Sequence, residues 1–182
     1  MDTGASDPAR AYVVHIWIFF GQSGVGKSFV GRVCAEEFGF EQYDGDRDLT
    51  PEMLRALREY RVFTPGMRAE FAAVLSRGIR ERCLALTRSQ EIRPGLALCQ
   101  GLFKRHDRNQ LELDFPQARL VWVRASEELI EARLLRRVDH VASNAYARLV
   151  NHGFEPPAPG SDVLENDGDR LRVVQQLRAF LR

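Results

Sequence analysis

The stretch Gly21-Gln22-Ser23-Gly24-Val25-Gly26-Lys27-Ser28 follows directly on the apolar run Val13-Val14-His15-Ile16-Trp17-Ile18-Phe19-Phe20. Its Gly-x4-Gly-Lys-Ser spacing is that of a loop whose backbone N–H groups turn inward around a polyphosphate, with the dipole of a following helix adding to the field. Gly21, Gly24 and Gly26 supply conformations and close approaches that side chains forbid. Lys27 is then placed against the β and γ phosphates, and the Ser28 hydroxyl takes one position on Mg²⁺. The expected nucleotide contacts are Gly21, Ser23, Gly24, Val25, Gly26, Lys27, Ser28 and Phe29. The flanks agree with this reading. The run before the loop is apolar on both faces, as in a buried parallel strand. After it, Phe29, Val30, Val33, Cys34, Glu37 and Phe38 recur at helical spacing until Gly39.

With 182 residues the chain is long enough for one sizeable core, and a single domain over residues 1–182 is expected, with 1–10 a loose arm. Basic and acidic residues nearly cancel at 26 against 25, which argues against a nucleic-acid partner recruited by bulk charge. The three cysteines, Cys34, Cys83 and Cys99, are widely spaced in apolar stretches and read as reduced core residues of a cytoplasmic protein. No Cys or His pair has metal-site spacing. The longest apolar run is about half of what a bilayer requires, so no membrane partner is expected.

Along the chain, Phe40 to Tyr43 reads as a second strand ending in Asp44-Gly45-Asp46. Ligands of α/β sheets collect outside the carboxyl ends of the strands. Both carboxylates therefore face the loop, Asp44 toward Mg²⁺ or its waters and Asp46 toward an acceptor hydroxyl, as orienting group or general base. Thr50-Pro51-Glu52 opens a helix carrying Met53, Leu54, Leu57 and Tyr60 on one face. Phe63-Thr64-Pro65-Gly66 reads as a break, and a longer helix follows from about Met67 to Leu86. Arg68 in its first turn is disfavoured by the helix dipole, which leaves either an anion partner or plain solvation. A third strand spans Pro94 to Cys99 and is followed by Gln100-Gly101, with no acidic residue. Then comes Lys104-Arg105-His106-Asp107-Arg108, a charged helix that is either a solvated face or a contributor to substrate binding. Arg119 to Arg124 is a fourth strand. Ser126 caps the next helix, with a capping-box glutamate expected after it. Arg133, Arg136 and Arg137 gather near that helix's end, ahead of a lid at about 138–155, and lid arginines can neutralise a transferring phosphoryl group. Val163 and Leu164 make a last short strand, and a terminal helix is expected to bury Leu171, Val174, Leu177 and Phe180. His15 reads as a satisfied core histidine.

The order of these elements resembles the gluconate kinase family, relatives of the shikimate kinases among the small P-loop kinases. The resemblance is carried by Gly21 to Ser28, Asp44-Gly45-Asp46, Thr64 with Arg68, the run Cys99 to Arg108, Glu131-Ala132-Arg133-Leu134 and Asp162-Val163-Leu164. It implies a three-layer α/β fold, a parallel five-stranded sheet with helices on both faces and a small lid. The activity it implies is transfer of the ATP γ-phosphoryl to a sugar-acid hydroxyl, gluconate first, with Mg²⁺. The implied roles are Lys27, Asp46, Arg133 and Arg137 in catalysis and Ser28 and Asp44 at the metal. Asp46, Arg68, Lys104, Arg105 and His106 are implied at the substrate, and a homodimer is possible. Thr50, Gln100-Gly101 and Val141-Ala142-Ser143 depart from the family's pattern. Shikimate or another hydroxy compound as acceptor, and a non-catalytic ATP-binding protein, stand as alternatives.

Overall fold

The computed structural model describes residues 14–136 and 144–181. The expectations for the first ten residues, Arg137 and the start of the lid lie outside the described residues. Five strands, β1 (His15–Phe20), β2 (Glu41–Asp44), β3 (Gly95–Cys99), β4 (Arg119–Arg124) and β5 (Asp162–Glu165), form one sheet in the order β2-β3-β1-β4-β5. All pairings are parallel. This is the expected five-stranded parallel sheet with helices on both faces.

The pleat divides the core in two. Trp17 and Phe19 of β1, with Ala97 and Cys99 of β3, face a cluster closed by α1 (Lys27–Phe38), α5 (Glu127–Leu135) and α7 (Arg170–Phe180). Ile16, Ile18 and Phe20, with Leu96 and Leu98, face the other cluster, under α2 (Pro51–Arg58), α3 (Pro65–Arg88) and α4 (Arg105–Asp114). Alternate side chains of a strand point to opposite faces, so each central strand must be apolar throughout. The first face is shallow at β3 so that α1 can descend onto it. A side chain at Gly31 would overlap Cys99 Sγ, and that sulfur hydrogen-bonds the carbonyl of Lys27 at 3.3 Å. The remaining helix, α6 (Asn144–Asn151), packs on the loop side of the molecule.

Several expectations are corrected. Thr64-Pro65 begins α3 rather than breaking the chain: Thr64 Oγ1 accepts from Met67 N at 3.2 Å and Pro65 takes the first turn, where no donor is missed. Thr50-Pro51 starts α2 in the same way. Ser126 does cap α5, but residue three further on is Leu129, so the capping box is not formed. Helix α2 ends at Arg58, which leaves Tyr60 at φ 55 and exposed. Leu171 is exposed and Val173 takes its place inside. His15, at the mouth of β1, is exposed rather than a core histidine. Cys34 and Cys99 are buried, and Cys83 is half-buried.

Candidate active site

The loop between β1 and α1 is tied at its β1 end to the end of β3 by backbone. Gly21 N donates to Gly101 O at 3.2 Å and Gln100 N to Phe19 O at 3.1 Å. Gly24 and Gly26 have φ of 93° and 89°, a region that L side chains rarely adopt. A Cβ at Gly24 would also come within 3.0 Å of Ile130 Cγ2. Lys27 folds back over the loop, its Nζ 3.0 Å from Gly21 O and 2.9 Å from Gln22 O. Helix α1 begins at Lys27, so its N-terminal N–H groups face the same space.

Side chains from two other elements brace the outside of this loop. Arg133 Nη1 donates to Val25 O at 3.1 Å and Nη2 to Asn166 O at 3.0 Å. Asn166, fully buried beyond β5, donates from Nδ2 to Val25 O at 2.7 Å. Burial holds the Arg133 guanidinium below its ordinary pKa. Arg136 is exposed. On the lid side, the Asn151 amide pairs with both backbone groups of Ser23, accepting from its N–H at 2.8 Å and donating to its carbonyl at 3.0 Å. The described part of the expected lid is thus a docked helix.

Opposite the loop, β2 ends beside β3 with Asp44 in register with Cys99. Asp44 Oδ1 accepts from Asp46 N at 3.1 Å and so caps the 3-10 turn Gly45–Asp48. Gly45 is buried, with room for a Cβ only 3.0 Å from Leu75 and 3.2 Å from Gln100 Nε2. Gln100 Nε2 donates to Asp46 Oδ1 at 2.9 Å, and its Oε1 accepts from Gly101 N. Sequence reasoning treated Gln100 only as a departure, although its place at the end of β3 is a ligand position in such sheets. These residues fit a Mg²⁺–nucleotide. The left-handed glycines open a cradle, a cation sits over its mouth, and Ser28 with Asp44 supplies hard oxygen donors. No group of three or more His, Cys, Asp or Glu among the described residues could hold a metal by itself. Mg²⁺ ordinarily takes most of its ligands from phosphate and water.

Between Asp46 and the helices lies a cavity of about 310 Å³, whose lining includes Ser23, Asp46, Arg68, Gln100, Lys104 and Asp107. A larger cavity of about 670 Å³ opens at the amino ends of β1, β4 and β5, away from the loop. Arg105 lines that larger cavity, and its Nη2 donates to Pro156 O. His106 is exposed and lines neither. The structure therefore brings Arg68 and Lys104 to Asp46 but not Arg105 or His106. The reason is helical register. Asp107, Leu111 and Phe115 fall on one buried stripe of α4 and its end, which turns Arg105 and His106 outward. That stripe was the available signal for Asp107, which sequence reasoning passed over. Asp107 Oδ2 lies 3.4 Å from Arg68 Nε, and burial raises its carboxyl pKa despite the cation. Lys104 Nζ is 3.1 Å from Glu155 Oε1. The backbone N–H of Arg105 and then Lys104 hold the Glu155 carboxyl below its ordinary value. Arg108 turns inward between the Phe20 and Phe154 rings and donates to Leu102 O and Glu155 O, each at 2.6 Å.

No protein-family model matches the chain, and no curated protein matches it. Solved structures do. A sugar kinase from Janibacter sp. HTCC2649, unliganded, superposes with a TM-score of 0.77 at 18% identity, covering 93% of this chain and 95% of that one. A gluconokinase from Sinorhizobium meliloti 1021 gives 0.71 at 24% identity, covering 92% and 91%. An APS kinase from Mycobacterium tuberculosis, in complex with AMPPNP and APS, gives 0.63 at 17%, covering 92% and 98%. The chain has the α/β fold of these structures. Among the described residues, no helix is long and apolar enough to cross a membrane.

Proposed function

We propose that this protein is an ATP-dependent small-molecule kinase that phosphorylates a hydroxyl group in the cavity beside Asp46. The observation that carries the reading is the placement of Asp46. It lines the cavity together with Ser23 of the phosphate loop, and Gln100 fixes its Oδ1. ATP bound with Mg²⁺ supplies the γ-phosphoryl group. The acceptor oxygen bonds to the γ-phosphorus as the bond to the β,γ-bridging oxygen breaks, ADP departs, and the hydroxyl proton passes to Asp46. Lys27 and the loop N–H groups stabilise charge on the phosphates. Ser28 and Asp44 are the residues that would hold Mg²⁺. Arg133 acts through the loop, fixing the Val25 carbonyl from outside. Arg68 and Lys104 face the acceptor.

Gluconate is the acceptor that the sequence resemblance implies, and a gluconokinase among the similar folds supports trying it first. The test is ADP release with ATP and Mg²⁺ across gluconate, other sugar acids, shikimate, nucleosides and aryl alcohols, against a no-acceptor control. Stimulation by one acceptor class establishes the kinase. A flat panel with measurable AMPPNP binding supports a nucleotide-binding regulatory protein instead.

A further inference from the structure

The cavity beside Asp46 is walled mostly by apolar side chains. Its walls include Met53 and Leu57 of α2 and Phe71 and Leu75 of α3, all buried. At its rim Val62 and Leu149 stay 57% and 48% exposed, so apolar surface runs from solvent to the interior. Single exposed apolar residues are ordinary, whereas a continuous apolar wall leading into a cavity marks a binding surface. Each hydroxyl of a polyol set against such a wall loses its water partners without replacement.

The charges in the cavity also cancel. Asp46 and Asp107 stand against Arg68 and Lys104. Arg68 has Asp107 3.4 Å away, and its Nη1 donates to Phe63 O at 2.5 Å. Lys104 is held by Glu155. A carboxylate entering here meets cations already matched and a second, buried acid, which is a built-in selection against anions. One polar demand remains. Arg68 Nε is buried and makes no hydrogen bond, because the Asp107 contact lacks the geometry for one. Arg68 also lines the cavity, so its guanidinium is the donor that an acceptor atom of the ligand would meet.

We propose that the phosphoryl acceptor is a neutral amphipathic alcohol rather than a sugar acid. Its hydroxyl lies at Asp46, an apolar body the size of an aromatic ring lies on the α2–α3 wall, and one carbonyl or ether oxygen accepts from the Arg68 guanidinium where it lines the cavity. This acceptor class rests on the kinase reading for its chemistry and on the cavity walls for its selectivity.

The experiment titrates the protein, saturated with Mg²⁺ and AMPPNP, with N-acetylphenylalaninol, which carries all three groups, and separately with gluconate. The aryl alcohol is expected to bind about tenfold more tightly or better. The rim variant Val62→Ser with Leu149→Gln is expected to weaken it about fivefold at unchanged melting temperature, since both positions are largely exposed. Gluconate binding as tightly as the aryl alcohol overturns the proposal, as does the lack of saturable aryl-alcohol binding at millimolar concentration. ADP release with ATP separates the two readings. Aryl-alcohol binding without turnover keeps the pocket assignment and sinks the kinase, whereas turnover on gluconate alone keeps the kinase and sinks the neutral acceptor.

Discussion

The phosphate loop and the acceptor cavity meet at Ser23 and Asp46, yet they are built from different materials. The loop is made of consecutive residues, 21–28, and its working surface is backbone, shaped by glycines in left-handed conformation. The cavity is made of side chains from α2, α3, α4 and α6 and from the ends of β2 and β3, far apart in the chain. A backbone site tolerates change outside its glycines, its lysine and the Ser28 hydroxyl. A side-chain site can change its ligand with a few substitutions while the fold stays the same. Selectivity is thus expected to reside in the cavity, and nucleotide chemistry in the loop.

That division can be broken by experiment. Lys27→Ala should lower kcat/KM about 10³-fold, because a preorganised donor to the phosphates is removed. It should leave N-acetylphenylalaninol binding unchanged, and a parallel loss there means that the two regions are not separable. Asp46→Asn should cut kcat by about 10²–10³-fold with AMPPNP affinity intact, as expected for a lost proton acceptor. Full turnover in Asp46→Asn removes this residue from the chemistry. Gln100→Leu should lower kcat by about 10–100-fold through misplacement of Asp46. Since Gln100 touches the carboxylate and not the loop interior, the nucleotide dissociation constant is the control.

Two smaller effects sharpen the contrast. Arg108→Met removes the donors to Leu102 O and Glu155 O and should destabilise the fold by about 2–3 kcal/mol, at roughly 1–1.5 kcal/mol per orphaned carbonyl. Chemical denaturation reads this directly. An effect near zero means that water reaches both carbonyls. Asn151→Ala should loosen α6 from the loop by about 1 kcal/mol, visible as faster amide exchange over residues 144–151. Unchanged exchange means that Tyr146 and Ala147, buried against the body, carry the docking alone.

The sequence by itself determined the phosphate loop, the parallel strands and the two carboxylates at the carboxyl end of β2. Each is a local pattern: glycine spacing, a run apolar on both faces, an acidic turn at a strand end. It misplaced the start of α3 because Pro65 reads equally as a breaker and as a first-turn residue, and only the Thr64 cap decides between them. The charged run Lys104 to Arg108 shows where local reading stops. Charge alone marks all five residues, but the packing of α4 on Leu111 and Phe115 sends Asp107 and Arg108 inward and Arg105 and His106 out. The brace of Arg133 and Asn166 on Val25, the hold of Gln100 on Asp46 and the apolar walls of the cavity join residues distant in the chain. Such contacts exist only once the sheet has set the strand ends side by side, which is why tertiary structure alone decided what the site can bind.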